Sequence, residues 1–569
     1  MSTMAERKAP LEIASETWNK KPWRKLAQHV YRIQKRIYRA SQRGDVRTVQ
    51  KLEKLLMKSK AARLLAVRRV TQDNQGKKTA GIDGIKAVMP AKRLIMVEQI
   101  HPRYWKKHKA KPVKRVWIPK PGKAERRPLG IPTMLDRSKQ ALAKMALEPE
   151  WEAKFEPNSY GFRPGRSCHD AIAAIFLAIR YKPKFVLDAD IKGCFDNINH
   201  EALLRKLHAH TNLRHAIKGW LRAGVMEGID LTPTEKGTPQ GGVISPLLAN
   251  IALHGMEEAT TRGYKRSEEQ PILIRYADDF VVLHSEKDKI DQAAVILTAQ
   301  LADMGLVLSP SKTRVTHTLA PYQKNVGFDF LGFSIRQSPV GKTHTGKSTH
   351  GQPLGFKTII KPSKEGIKRH VRETKRRIRQ LRSRPQWQVI KELNPVIRGW
   401  TNYYKTVVSS KVFNGCDKSL YAQLRRWSRT RHPNKGSQWI RKKYWKSEES
   451  RHWVFATPEG AKLRWHRDTR IQRHVKVKGE ASPYDGHLLY WSQRLKTHPL
   501  LTGTLAKALQ RQKGRCGWCG LLFTDEDIIE IDHKDRNRNN NVPTNLFALH
   551  RHCHDERHAK DAEDRYQSQ

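Results

Sequence analysis

The chain has 569 residues, 110 of them Lys or Arg against 54 Asp or Glu, a formal net charge of +56. That length accommodates several domains at roughly 100–200 residues each, and the charge is far beyond what solubility requires, so it implies a polyanionic partner, nucleic acid before all others. An anionic membrane is disfavoured, because membrane-surface binders gather charge on one amphipathic helix, whereas here it runs through the whole chain among 15 Trp and 15 Tyr, a composition suited to phosphate tracking with base stacking. Six cysteines are too few for a disulfide scaffold and point to a reducing compartment. The first residues lack an apolar leader and no uncharged apolar run reaches about 20 residues. A cytoplasmic or organelle-interior location without a membrane partner is therefore expected.

Residues 18–73 carry the period of two or three basic amphipathic helices, with Val49, Leu52 and Leu56 on one face. Thr79-Ala-Gly-Ile-Asp-Gly84 is a glycine-punctuated loop. From Arg103 to Arg127 eleven Lys or Arg accompany one acid. Within that stretch Val116 to Pro132 reads as strand, turn, strand, an arrangement able to set Lys120 and Arg127 over a triphosphate as point charge and fork. A loop beginning at Tyr160-Gly-Phe-Arg-Pro-Gly-Arg-Ser leads into an apolar helix from Ile172 to Ile179. Phe185-Val-Leu-Asp-Ala-Asp190 reads as a strand with Asp188 and Asp190 on one face and Phe185, Leu187 and Ala189 on the other.

Carboxylates in an apolar strand are costly without compensation. The compensation is suggested by Ile272 to Leu283, an apolar run, two adjacent acids and a second apolar run, which reads as a β-hairpin with Ala277-Asp278 at its tip. Two acids at a tight turn repel each other and lose hydration, so a cation is expected against them. An ordinary Asp-containing surface turn is the competing reading. Asp190 and Asp278 on neighbouring strands, jointly holding Mg²⁺, would explain both stretches. Between them, Thr238-Pro-Gln-Gly-Gly242 is a tight turn before an apolar helix, and its paired glycines let backbone approach a flat ligand closely. Ser309-Pro-Ser-Lys-Thr313 and Phe328 to Phe333 follow.

Lys361 to Arg384 carries eleven basic residues and two acids, with Ile367, Val371, Ile378 and Leu381 on one helical face. A face of one sign at that density repels itself without a counter-polyanion. Asn394 to Tyr404 is a helical stretch with clustered aromatics. Most of Trp400, Tyr403, Tyr404 and Trp427 are expected in a core, with RNA on the basic surface around them. From about Arg431 to Pro499 the chain is basic and weakly periodic, a linker or small domain. Residues 500–569 then hold half the cysteines. Cys516-Gly-Trp-Cys519 and His550-Arg-His-Cys553 have the spacing of a closed tetrahedral zinc site made of Cys516, Cys519, His550 and Cys553, with His552 as an alternative to His550. A segment so small needs such a staple to fold.

In this order the blocks resemble the reverse transcriptase encoded by mobile group II introns. Tyr276-Ala-Asp-Asp279 resembles that family's polymerase metal box, and Asp190 with Phe195 its first catalytic block. Thr238-Pro-Gln-Gly-Gly resembles the nucleotide–template block, and Arg127-Pro-Leu-Gly-Ile-Pro132 the fingers block. Tyr160 to Ser167 is typical of the intron branch. Further on, Asp532-His533, Asn545 and His554 between and beside the zinc ligands resemble the HNH endonuclease.

The resemblance implies an α+β multidomain protein with a right-hand polymerase fold and an antiparallel palm sheet. Its expected parts are a basic helical extension (1–78), fingers and palm (79–336), a helical thumb or maturase domain (337–430), a DNA-binding segment (431–499) and a small zinc-stapled ββα-metal HNH domain (500–569). It implies Mg²⁺ at Asp190 and Asp278, supported by Asp279, with two ions about 3.5–4 Å apart. Phe195 would exclude a ribose 2′-hydroxyl, Gln240 would lie near the incoming sugar, Lys120 and Arg127 would hold phosphates, and Lys312 would protonate the leaving group. In the nuclease His533 is the implied general base, Asp532 and His554 the implied Mg²⁺ ligands, and Asn545 the residue that orients the base or assists the metal. Intron RNA, target DNA and deoxynucleoside triphosphates are the implied partners. The implied activity is RNA-directed DNA synthesis, splicing assistance and strand nicking within one mobility cycle. The alternatives are a non-catalytic splicing cofactor, a plain HNH nuclease with an accessory fold, and a reverse transcriptase of another lineage.

Overall fold

Capping side chains start the helices where the periodicity expects them. Asp45 accepts from Thr48 N at 3.0 Å and opens the Val46–Lys58 helix. Val49, Leu52 and Leu56 are buried there, against the Trp23–Gln42 and Met134–Glu152 helices. The computed structural model describes residues 15–567 apart from 107–108, 120–124, 266, 342, 449–450, 496–497 and 525–526. Among the described residues no helix is long and apolar enough to cross a membrane.

Strands β1 (Val113–Pro119) and β2 (Arg126–Ile131) form the expected antiparallel pair. The connecting turn, including Lys120, lies outside the described residues. β1 also pairs in parallel with a later strand, Val225–Glu227, which pairs antiparallel with Asp230–Thr232. These two become β4 and β5, because β3 (Phe185–Asp190) precedes them in the chain.

The central sheet has the order β6-β7-β3-β8, with β6 at Ile272–Tyr276, β7 at Asp279–His284 and β8 at Arg314–His317, all antiparallel. Alternation along these strands supplies two cores. Leu187, Ala189, Phe280 and Val282 face a core built with the amino-terminal and Met134–Glu152 helices. Val186, Ile274, Val281 and Leu283 face a second core with Ile172 and Ile175 from the Cys168–Ile179 helix.

That second core also holds a three-stranded antiparallel sheet, β9 (Phe328–Phe330), β10 (Phe333–Pro339) and β11 (Phe356–Pro362). Leu331 and Gly332 join β9 to β10 with φ of 49° and 78°, the left-handed pair that a two-residue hairpin loop requires. Two tyrosines of the Gln386–Tyr404 helix hold this turn. The Tyr403 hydroxyl donates to Leu331 O at 2.8 Å and that of Tyr404 to Gly332 O at 3.1 Å. Tyr404 and Trp427 are buried, whereas Trp400 and Tyr403 are half-buried.

The basic helix is Lys364–Gln380, capped by Ser363. Its buried stripe is Gly366, His370, Thr374 and Ile378, a strip beside the expected Ile367–Val371 face. The reason is polar. His370 stacks on Trp400 at 4.3 Å, and its Nε2 lies 2.7 Å from Nε2 of His466, whose Nδ1 bonds Asp417 at 2.6 Å. A hydrogen-bonded histidine is thus buried where an apolar residue was expected. The helix packs with Ser410–Arg431, Ser437–Tyr444 and the hairpin β12 (Trp445–Glu448) and β13 (Arg451–Phe455) around a third core that includes Leu393, Trp427 and Phe455.

Residues 474–498 follow the palm surface as mostly non-repetitive chain, which is why their periodicity is weak. Partners elsewhere supply their hydrogen bonds. Asp170 is the hub. Its carboxylate accepts from Ser167 N and Oγ, His474 Nε2, Val477 N and Arg494 Nη2, all within 2.9 Å. Burial alone would raise this carboxyl, but the bonds from His474 and Ser167 hold it at about 2. Tyr31 donates to Pro483 O, and Trp491 packs so closely on Gly165 that a Cβ there would lie 2.8 Å from the ring. Asp170→Ala removes five hydrogen bonds to one buried carboxylate and leaves the half-buried His474 and Arg494 without their charged partner, so a loss of about 2–3 kcal/mol is expected. Thermal melting and trypsin cleavage between Lys476 and Arg494 check this.

The carboxy-terminal segment packs the Gly503–Arg511 helix into the second core through Leu505, Ala508 and Leu509. It ends in an antiparallel pair, β14 (Ile529–His533) and β15 (Leu546–His550), followed by the Arg551–Gln567 helix.

Candidate active site and metal centres

Strand register brings the acids of the two expected stretches together. Asp190 closes β3 directly opposite Asp279, which opens β7, and Tyr276 pairs with Asp279 so that Ala277 and Asp278 form the hairpin tip. Ala277 has φ of 59°, a left-handed turn that an alanine adopts only under constraint. The constraint comes from behind. Tyr160 N donates to Arg275 O at 2.9 Å, and Gly161 lies so close that a Cβ would stand 2.3 Å from Ala277 N. Arg275 is fully buried. Its Nη1 donates to Asn250 Oδ1 at 3.0 Å and to Ala277 O at 3.2 Å, while Asn250 Nδ2 donates to Gly161 O at 2.8 Å. A buried cation thus clamps the hairpin turn to the Tyr160–Ser167 loop. That loop is itself nailed down by Arg163, which pairs in fork geometry with Glu152 at 2.9 and 3.0 Å.

The electrostatics of the tip are those of crowded carboxylates. Lost hydration of its carboxyl, then the charges of Asp278 and Asp190, push Asp279 up to about 7, although the residue as a whole is exposed and water screens part of the repulsion. Asp278 is raised by burial and by Asp190. Lys312 Nζ forms an ion pair with Asp190 Oδ2, and Arg127 is close enough to Asp278 to lower it. Asp188 has a different fate from Asp190. It stands opposite Arg314 on β8 and accepts from Nε and Nη2 at 3.0 and 2.9 Å, so its charge is compensated within the sheet.

Phe195 follows on the one-turn helix Cys194–Asn197 and stands edge-on to Phe162 at 6.2 Å. Phe162 is half exposed at 49% with φ of 60°, an aromatic next to the site that sequence reasoning missed; its own block, Tyr-Gly-Phe-Arg, was the available signal. Phe195 and Gln240 line one cavity with Arg115, Trp117 and Gly130. The paired glycines serve backbone rather than a flat ligand at one end. Gly130 N donates to Gln240 O at 2.6 Å, and a Cβ on Gly241, whose φ is 118°, would meet Gly130 O at 2.8 Å. This close approach locks the turn to β2.

Among the described residues, two sets of three or more His, Cys, Asp or Glu ligand atoms lie within 4.8 Å of one another, and both are carboxy-terminal. The first is Cys516, Cys519, His550 and Cys553. His550 Nδ1 lies 3.4 Å from Cys519 Sγ and 3.9 Å from Cys553 Sγ, and His550 Nε2 is 3.4 Å from Asp527 Oδ2. His550, not the exposed His552, belongs to the cluster. Three thiols, one imidazole and a carboxylate on the far nitrogen fit a tetrahedral zinc ion.

The second set is Asp532, His554 and His558. His558 was missed, although its place four residues after His554 on a helix put both on one face. Arg557 forms an ion pair with Asp532 and donates to His533 O at 3.0 Å. His533 closes β14 beside this set, its Nε2 3.3 Å from Asn541 Oδ1. Asn545 braces the intervening loop, donating to Asp535 Oδ1 and Asn540 O at 2.8 Å.

Known families match successive parts of this architecture. The N-terminal domain of reverse transcriptase matches residues 18–100, Reverse transcriptase (RNA-dependent DNA polymerase) residues 118–335, and the Group II intron, maturase-specific domain residues 367–445. Protein YkfC of Escherichia coli (strain K12) is 30% identical over 305 residues, covering 47% of this chain and 78% of that protein. The Group II intron-encoded protein LtrA of Lactococcus lactis subsp. cremoris is 39% identical over 183 residues, covering 32% of this chain and 30% of LtrA. Maturase-like protein 1 of Euglena gracilis is 26% identical over 389 residues, 67% of this chain and 76% of that protein. With a reverse transcriptase domain and a maturase-specific domain in sequence along one polypeptide, the chain belongs to the family of group II intron reverse transcriptase–maturases.

Proposed function

We propose that this protein is an RNA-directed DNA polymerase and splicing maturase of a group II intron, with a carboxy-terminal HNH endonuclease that nicks target DNA to make the primer. The observation that carries the polymerase reading is the register Asp190–Asp279 with Asp278 at the hairpin tip. Three acids are gathered at one sheet edge at an energetic cost that a divalent cation relieves. The partners are intron RNA, target DNA and deoxynucleoside triphosphates.

Asp190 and Asp278, with Asp279 beside them, are the residues that would hold Mg²⁺. The ion would supply a lowered pKa at the primer 3′-hydroxyl and charge neutralisation on the triphosphate. Arg127 approaches from the fingers to bind phosphate, and Lys312 leaves Asp190 to donate a proton to the departing pyrophosphate. Phe195 restricts the sugar and Gln240 faces it across the same cavity. In the nuclease, Asp532, His554 and His558 would hold Mg²⁺, and His533 accepts the proton of the attacking water. The zinc set staples the ββα unit. The division proposed is a helical extension to residue 78, fingers and palm to 336, thumb or maturase to 430, a DNA-binding segment to 499 and the HNH unit beyond.

Primer extension on an RNA template in Mg²⁺, with the purified chain, tests the polymerase; absence of any deoxynucleotide incorporation would sink it. Proton and magnesium compete for the same carboxylates, and the sign of that competition gives a second test. The Asp279 carboxyl titrates higher in the folded chain, about 7 against 3.8. Its contribution to stability is present below the lower value and lost as pH rises through the upper. Magnesium restores what is lost, so its addition raises the melting temperature more at about pH 8 than at about pH 5.5. Equal shifts at both would contradict a carboxylate-bound ion.

A further inference from the structure

A second aromatic and cationic site lies far from these carboxylates. The Ser410–Arg431 helix turns Leu420, Leu424 and Trp427 into the third core, and its opposite stripe carries Tyr421, Arg425 and Arg429 at successive four-residue steps. These three, with Ser437, Gln438, Ile440 and Arg441 of the next helix and Trp445 and Trp453 of the β12–β13 hairpin, line a cavity of about 510 Å³, within the range of small-molecule sites, about 300–1,000 Å³. Among the described residues no carboxylate lines it and none of its three arginines is in an ion pair.

Trp453 marks the site as built. Its φ is 71° and its ring is 41% exposed, so a bulky residue holds a left-handed conformation without the reward of burial. The core positions beside it are filled by Val454 and Phe455. The ring is instead held upright at the cavity mouth, 4.8 Å from the Arg441 guanidinium and 84° to Tyr421 at 6.4 Å. An exposed indole beside a half-buried phenol, with unpaired guanidinium groups around them, is suited to one unstacked nucleobase and its flanking phosphates.

We propose that this cavity takes an extruded, unpaired nucleotide of RNA, its base stacked on Trp453 with the Tyr421 ring against its edge, and Arg425, Arg429 and Arg441 on its phosphates. RNA is favoured over DNA because eight of the nine lining residues fall within the segment that matches the maturase-specific domain, residues 367–445, and because folded RNA presents splayed bases in its loops. The assignment rests on the reading of the chain as an intron-RNA-binding protein and adds a nucleotide subsite to it.

Trp453→Gly tests the subsite cleanly, since glycine adopts this backbone conformation without strain and only the ring is lost. The probe is a short oligouridylate carrying one 4-thiouridine, photocrosslinked to the full-length chain and mapped by mass spectrometry. The expected crosslinks are to the peptides containing Trp453 and Tyr421, and Trp453→Gly should lower the Tyr421 yield about tenfold. Arg425→Gln with Arg429→Gln should reduce the salt dependence of that crosslink by about two units of slope. No crosslink to either peptide overturns the proposal. Displacement of the probe by an equal-length oligothymidylate as efficiently as by unlabelled oligouridylate assigns the cavity to single-stranded DNA and overturns the RNA assignment. Primer extension is followed in parallel and stays unchanged in Trp453→Gly. Its absence in the parent chain would sink the polymerase reading and leave the crosslink result standing.

Discussion

Asp278→Ala extends no primer on an RNA template, while RNA affinity stays within a few-fold of the parent chain. Asp278 is the acid at the hairpin tip, and on the proposed reading its removal takes away a carboxylate that would hold metal where charge develops. Losing electrostatic stabilisation of that kind costs on the order of 10³-fold or more in rate. The fold survives because the turn is positioned by Arg275, Asn250 and Gly161, not by the Asp278 side chain. Relief of the repulsion that raises Asp279 should leave the metal-free variant at least as stable as the parent. RNA binding depends on the basic helices and is largely independent of the tip. Single-turnover extension with filter binding reads both quantities, and undiminished extension by the variant would remove the polymerase assignment.

His533→Ala ends nicking of a DNA strand and leaves primer extension on a pre-formed primer intact. His533 closes β14 next to Asp532, and the cluster Asp532–His554–His558 stands beside it. A general base contributes typically 10²–10⁴-fold, so nicking should fall by about that factor. His533 is half-buried, and its ring lies against Asn541 and near enough to Asp535 to lower that carboxyl. The strand is held by Arg557 on the His533 and Lys534 carbonyls, so the carboxy-terminal unit should stay folded. A nicking assay on supercoiled DNA carrying the target, with zinc content measured in the same sample, separates loss of the base from loss of the unit. Persistent nicking at the parent rate would exclude this histidine.

Much of the architecture was legible because it rests on local periodicity and spacing. The helix carrying Val49, Leu52 and Leu56, the strand with Asp188 and Asp190 on one face, the hairpin tip at Ala277-Asp278 and the Cys-x-x-Cys with His-x-x-Cys all follow from side-chain direction along one element. What was missed involves partners distant in sequence. The basic helix buries His370 rather than Ile367 because His466, ninety-six residues on, and Trp400 meet it there. Tyr404 lies in the second core and Tyr403 against it, as expected, but the hold of their hydroxyls on the turn at Leu331–Gly332, more than seventy residues earlier, has no local signal. Residues 474–498 have little pattern of their own because Asp170, Arg166 and Tyr31 hold them from outside.

The amino-acid sequence by itself determined which residues are the candidates for the proposed chemistry. Acids in apolar strands, paired thiols and a net charge of +56 are costly arrangements, and each cost names the ligand that would relieve it. Only the tertiary structure decided how those residues are divided and aimed. Of two acids on the same strand face, Asp188 is paired with Arg314 on β8, whereas Asp190 lies beyond that register, opposite Asp279 and paired with Lys312 from the turn before β8. Of two histidines separated by one residue, His550 joins the thiols and His552 faces solvent, because β15 ends between them. Strand pairing and helix docking bring together groups that are hundreds of residues apart, and no spacing within one element encodes that distance.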